Sequence, residues 1–273
     1  MNGTRFSKVK DEILSQKISI ITGAAGTGKS EILKKLYLQC ENLYLSNAKK
    51  VPSDADISIP VLVRLRECVN GNLEELLRNR LKDFEISLEN EKNSYIYFFD
   101  GLDEVRTLDF DSVLNCIMRL AQKSSTKFFV LASRTNSANL TSVIRSLNPK
   151  IYSVDPLKSG DVEDYFKRLN SLEKQKNLQE IKDKNFSFFE DVTDIFSAVL
   201  LSEYALKIDS STTKVDLIRL NAEHLIVGSN KYSSVNLPEP KVESIERILA
   251  QVSELMQRTG NISISRTELQ GII

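Results

Sequence analysis

The stretch Gly23-Ala24-Ala25-Gly26-Thr27-Gly28-Lys29-Ser30 matches the phosphate-binding pattern G-x-x-x-x-G-K-[ST] at every fixed position. Its three glycines let the backbone turn tightly enough for successive N–H groups to converge on phosphate oxygens. The helix that follows the loop would add the positive end of its dipole. Lys29 is suited to reach the β- and γ-phosphates as a point charge, and the Ser30 hydroxyl to ligate Mg²⁺. Residues Gly23 to Glu31 are therefore the expected nucleotide-binding set. A glycine-rich turn without a ligand is the bland alternative, and the flanks argue against it. The β-rich run Ile18-Ser-Ile-Ile-Thr22 precedes the loop, and Ile32, Leu33, Leu36 and Tyr37 follow at helical spacing.

A second candidate lies in Tyr95-Ile-Tyr-Phe-Phe-Asp100-Gly-Leu-Asp103-Glu104. An apolar strand that runs into an aspartate delivers a carboxylate to the C-terminal edge of a parallel sheet, where ligands bind. Asp100 is expected to hold the magnesium through water, and one of Asp103 and Glu104 to orient or deprotonate an attacking water. Alone, the segment also reads as a surface acidic turn; the phosphate loop upstream favours catalysis. A third segment, Lys127-Phe-Phe-Val-Leu-Ala-Ser133, ends at Arg134, whose guanidinium would read a terminal phosphate bidentately. The catalytic set is thus Asp103, Glu104 and Arg134, with Ser30 and Asp100 on the metal. His224, the only histidine, falls in a helical stretch far from these motifs and reads as structural or surface.

Strand and helix patterns alternate through the first half of the chain. A strand at Ile59-Pro-Val-Leu-Val-Arg-Leu65 is followed by a helix around Leu73, Leu76, Leu77 and Leu81. Val113, Leu114, Ile117, Met118 and Ala121 mark a helix between the acidic and arginine strands, and a last strand near Lys150 to Val154 stops at Pro156. Such alternation predicts a parallel sheet covered on both faces. Beyond Pro156 helical patterns take over. Ser159 is placed to cap a helix carrying Val162, Tyr165, Phe166 and Leu169; residues 171–185 read as a solvated helix face; further helices fit Val192 to Lys207 and Lys214 to Val227. The polar stretch Gly228 to Pro240 reads as a linker. Val242, Ile245, Ile248, Leu249, Val252 and Leu255 then mark an amphipathic helix, and Ser265-Arg-Thr-Glu268 has the form of a capping box. A helix begun so close to Ile273 is the expectation for a fragment of something longer. The domain expectation is 1–156 for nucleotide binding, 157–229 for a helical subdomain and 238–273 for the start of another domain.

Composition narrows the classes. With 273 residues and about 150 per domain as a guide, one α/β core and a smaller partner fit. The 37 basic and 37 acidic residues balance, so the broad basic footprint of a nucleic-acid binder is missing. No apolar run approaches the ~20 residues of a spanning helix, and the first twenty residues lack the apolar core of a signal peptide. Cys40, Cys68 and Cys116 have no metal-ligand spacing and read as reduced, buried thiols of a cytoplasmic protein. No Asn-Lys-x-Asp base-reading motif, no Leu-Ser-Gly-Gly-Gln segment and no arginine-rich lid is present. These absences argue against a GTPase, a transporter ATPase and a small-molecule kinase in turn.

Together the phosphate loop, Asp100-Gly-Leu-Asp103-Glu104 and Ser133-Arg134 resemble the NACHT family of STAND signalling NTPases. The glycine after the first aspartate, with an acidic pair three and four residues on, is the distinctive form. Ile59-Pro-Val-Leu-Val-Arg-Leu-Arg66 is similar to the family's second strand, Asp155 to Phe166 to its passage into a helical domain, and residues 241–273 to the opening of a winged helix. The resemblance implies a P-loop NTPase of the ASCE type with strand order 5-1-4-3-2, a helical subdomain and a partial winged helix. It implies ATP, ADP and Mg²⁺ as ligands, slow regulatory hydrolysis, and self-association on activation in a defence or innate-immunity-type response. The choice of ATP over GTP rests on the resemblance. Effector and sensor domains are absent from this sequence. The family's proline in the helical domain is missing from Phe186 to Leu206, and its winged-helix histidine has no counterpart, since His224 precedes that region. The rival expectation is a turnover-competent AAA+-like ATPase that remodels protein or nucleic acid.

Overall fold

A computed structural model describes residues 3–48, 58–82 and 93–230, with residues 247, 248, 250–252 and 254. The chain divides into two compact units, Met1–Pro156 and Leu157–Ile273. In the first, five parallel strands form one sheet: β1 (Ile18–Gly23), β2 (Ser58–Arg64), β3 (Ser94–Asp100), β4 (Thr126–Arg134) and β5 (Lys150–Ser153). Their order is β2-β3-β4-β1-β5, the predicted order read from the other edge.

Strand β3 explains why the sheet is covered twice. Alternate side chains of a strand face opposite ways. Tyr95, Tyr97 and Phe99 point to one face, where they pack with Phe129, Leu131 and the helices α3 (Leu73–Lys82), α4 (Thr107–Gln122) and α5 (Ala138–Leu147). Ile96 and Phe98 point to the other, against Val130, Ala132, and α1 (Gly3–Ser15) and α2 (Lys29–Ala48) through Ile13, Leu33 and Leu36. The rings of Tyr97 and Phe129 stack at 5.3 Å, tying β3 to β4. Helix α1, which no sequence pattern announced, is joined to the sheet where Ser19 Oγ donates to the Ile13 carbonyl at 3.0 Å. Cys40, Cys68 and Cys116 are buried and free, and burial pushes the thiols of Cys40 and Cys68 up to about 11.

The second unit is helical: α6 (Ser159–Lys167), α7 (Leu172–Lys184), α8 (Phe186–Glu190), α9 (Ile195–Tyr204) and α10 (Lys214–Asn230). Its core gathers Phe166, Leu178, Ile181, Phe189, Leu201 and Leu217. Several boundaries differ from the sequence expectation. Ser159 is the first helical residue, not the cap: the Lys158 N–H donates to Asp161 Oδ2 at 3.1 Å, so the turn closes one residue earlier. The expected helix over 192–207 begins only at Ile195, because Asp194 captures the Ser197 N–H at 2.8 Å and fixes the start there. Helix α7 has the expected solvated character, burying Leu178 and Ile181 alone. Helix α10 runs through Gly228 to Asn230, into the expected linker. The rest of that linker, the capping box at Ser265 and most of 238–273 lie outside the described residues, although residues 247, 248, 250–252 and 254 are helical. His224 is exposed, with its ring edge-on to Tyr204 at 6.3 Å.

Candidate nucleotide site

The C-terminal ends of the central strands bring the motifs together. Along β1 and β4 Gly23 is level with Arg134, and along β2 and β3 Arg64 is level with Asp100. Each group therefore emerges at one edge of the sheet, held by a buried strand behind it.

The loop after β1 has the shape its glycines permit. Gly26 and Gly28 sit at φ +76 and +86, the left-handed region that favours glycine. At Gly23 a Cβ would come within 2.9 Å of Thr27 Oγ1, which itself donates to the Ala24 carbonyl at 2.9 Å and closes the loop. Ala24, Ala25 and Gly26 are exposed at its crest, whereas Thr27 is buried beneath it. Glu31 lies exposed in the first turn of α2, where a carboxylate complements the helix dipole. Lys29 folds back over the loop, its Nζ donating to the carbonyls of Gly23 at 2.9 Å and Ala24 at 2.6 Å. Burial lowers its pKa from the ordinary lysine value; Asp103 is the strongest opposing charge, Arg134 adds to the lowering, and Asp100 and Glu104 oppose it.

Ser30 Oγ donates to Asp100 Oδ1 at 3.0 Å. A hydroxyl and a carboxylate meeting beside a phosphate loop form a hard-oxygen donor pair, which suits Mg²⁺ held partly by water and substrate phosphates. Among the described residues no cluster of three or more His, Cys, Asp or Glu forms a cage for another metal.

The acidic turn is built to aim its side chains. Gly101 sits at φ +76, and a Cβ there would lie 3.1 Å from the Glu104 carboxylate, so glycine is needed for both backbone and space. Leu102 is fully buried and anchors the turn, and the Glu104 N–H donates to the Gly101 carbonyl at 2.9 Å. Asp103 is held twice by one residue: the Arg134 backbone N–H donates to Oδ1 at 2.9 Å, and the guanidinium forms an ion pair with its Nε 3.0 Å from Oδ2. Arginine has five N–H donors, so one bound through Nε keeps its Nη groups for a phosphate. Glu104 meets a looser cation, Arg66 Nη1, 3.8 Å from Oε2.

All the residues expected to act thus lie around one sheet edge. Two contributors were not foreseen. Asn139 of α5 donates to the carbonyls of Leu102 at 3.1 Å and Val105 at 3.3 Å, pinning the acidic turn from below. A single asparagine in an amphipathic helix gives no sequence signal of that role. Arg66 is the other; it lay inside the segment similar to the NACHT second strand, without an assigned task.

No protein-family model and no curated protein matches the sequence. Among solved structures the chain is similar to a Walker-type ATPase of Pyrococcus abyssi, at 12% identity and a TM-score of 0.50, over 100% of this chain and 87% of that one. It is similar also to Cdc6p from Pyrobaculum aerophilum, at 13% identity and a TM-score of 0.52, over 98% of this chain and 78% of that one. At such identities the likeness is one of fold, and the fold is that of the Walker-type P-loop ATPases.

Proposed function

We propose that the chain is an ATP-binding and slowly hydrolysing signalling switch of the NACHT kind, whose nucleotide state governs self-association in a defence-type response. The observation that carries the nucleotide chemistry is the convergence of Lys29, the Ser30–Asp100 pair, Glu104 and the Asp103–Arg134 pair at one sheet edge. In this reading the loop N–H groups and Lys29 cradle the phosphates. Ser30 and Asp100 hold Mg²⁺, which neutralises phosphate charge when bound. Asp103, with both oxygens engaged, holds Arg134 so that its Nη groups face the terminal phosphate. Glu104, whose carboxylate has only a loose ion pair, orients and deprotonates the attacking water. The distinctive Asp-Gly-x-Asp-Glu form supports the NACHT assignment, and the helices after Leu157 are assigned to the helical subdomain with 238–273 opening a winged helix. A cytoplasmic location follows from the same reading.

Similarity of fold to a Walker-type ATPase and to Cdc6p over nearly the whole chain favours a second reading, a turnover-competent AAA+-like ATPase. The two separate on one experiment. The freshly purified protein is denatured and its nucleotide identified, and its mass in solution is compared with ADP and with a non-hydrolysable ATP analogue. Carried ADP, and a larger assembly with the analogue alone, support the switch. An empty site, fast steady-state hydrolysis and an unchanged mass support the turnover enzyme.

A further inference from the structure

Asp103 and Glu104 are adjacent carboxylates, yet different cations hold them in different ways. Arg134 occupies both oxygens of Asp103 at hydrogen-bonding distance. Arg66 stands 3.8 Å from Glu104, beyond a hydrogen bond but within reach of charge. Of the other nearby arginines, Arg106 is bound to Asp109 at 2.6 Å, so among the described residues Arg66 is the ion-pair partner of Glu104. Its base is firmly set. Leu65 before it is fully buried, the Cys68 N–H closes the turn Leu65–Glu67 onto the Leu65 carbonyl at 3.0 Å, and Glu67 pairs with Arg80 of α3. The parallel register of β2 with β3 brings this turn beside the acidic one. On the other side, the missing Cβ of Gly101 leaves room for the same Glu104 carboxylate.

We infer that Arg66 is a positioning residue for hydrolysis: its guanidinium holds the Glu104 carboxylate at the site edge by charge, without occupying the lone pairs that must take the water's proton. The inference rests on the reading of Glu104 as the base. In the chemical step water forms a bond to the γ-phosphorus, the bond to the ADP oxygen breaks, and the water's proton passes to Glu104. Arg66 touches none of the reacting atoms. A bidentate partner like that of Asp103 would instead compete with the water.

The test is single-turnover hydrolysis of Mg-ATP by wild type, Arg66→Ala, Arg66→Lys, Glu104→Gln and the Arg66→Ala/Glu104→Gln double variant, with ATP affinity and thermal stability measured alongside. Misplacing a catalytic group costs rate more than binding, so Arg66→Ala is expected to slow hydrolysis about tenfold at unchanged affinity and melting temperature. Arg66→Lys should recover most of the rate, since a cation suffices. In the Glu104→Gln background the alanine should cost nothing further. An equal fall in both backgrounds would mean that Arg66 acts elsewhere and would overturn the assignment. Hydrolysis lost in Glu104→Gln but intact in Arg66→Ala would remove this inference alone. No hydrolysis in wild type, or none lost in Glu104→Gln, would remove the underlying reading as well.

Discussion

In the α/β unit the decisive polar contacts join residues far apart in the chain: Ser30 to Asp100 across 70 positions, Arg134 to Asp103 across 31, Asn139 to Leu102 across 37. In the helical unit Asp194, Asp209 and Asp216 bond Ser197, Ser211 and Thr213, two or three residues away. Longer contacts exist there too: Lys214, 2.9 Å from Asp194, braces the start of α9, and Asn177 donates to the Ile208 carbonyl at 3.3 Å. The difference separates two uses of the same residue types. A helix end leaves N–H groups that must be satisfied locally, so a nearby carboxylate is explained by stability. Carboxylates, a hydroxyl and a lysine gathered at the open end of buried strands satisfy no such need. Their convergence is what a charged ligand requires.

The comparison is broken most forcefully at the acidic turn. Glu104→Gln should lower single-turnover hydrolysis about 10²–10³-fold while leaving ATP affinity within a factor of a few, the range for loss of a general base. Rapid-quench measurement of one turnover reads this directly. Gly101→Ala should act on both fold and site. It places a Cβ at positive φ and against the Glu104 carboxylate, so we expect about 1–2 kcal/mol of lost stability together with slowed hydrolysis. Chemical denaturation beside the rate assay separates the two effects.

In the helical unit the expected pattern is the reverse. Asp194→Ala should cost about 1–2 kcal/mol in denaturant unfolding, the value of a cap, with ATP affinity unchanged. Partial burial works against ionisation of Asp194, but the Ser197 N–H and hydroxyl and then Lys214 outweigh it and hold the carboxyl below the ordinary value. A group depressed in the folded state contributes stability above its unfolded pKa, about 3.9, and that contribution is lost as pH falls through the folded value. Stability of wild type should therefore drop toward that of Asp194→Ala in acid below about pH 4. A last effect, confined to alkaline pH, concerns Lys29. Its lowered pKa means that the ammonium is lost before the ordinary 10.5 is reached, so ATP affinity should weaken on alkaline titration below that point. In Lys29→Ala affinity should stay flat over the same range.

What was legible in the sequence follows from what is local. The loop motif, the apolar run of β3 ending in Asp100, and Arg134 after β4 are each written in consecutive residues, and burial of the strands carries them to one edge. The strand order followed from the family resemblance, since spacing alone gives no neighbour. Asp103 and Glu104 were not separable by sequence, because what differs is their surroundings: Arg134 beside one and Arg66 beside the other, both brought in by strand register. Asn139 was invisible because its partners, the Leu102 and Val105 carbonyls, meet α5 only through packing of distant segments. Helix starts were misplaced by one residue at Ser159 and by three at Ile195, where Asp161 and Asp194 win the competition for free N–H groups. Periodicity cannot rank such competitors.

The central claim is that this sheet edge is a nucleotide site, and calorimetric titration of Mg-ATP into wild type and Lys29→Ala tests it most directly. Removal of a charged contact to the β- and γ-phosphates should weaken binding about 100-fold, some 3 kcal/mol, with the fold intact by circular dichroism. Equal affinity in the two proteins would contradict the account, because the loop lysine would then play no part in whatever the molecule binds.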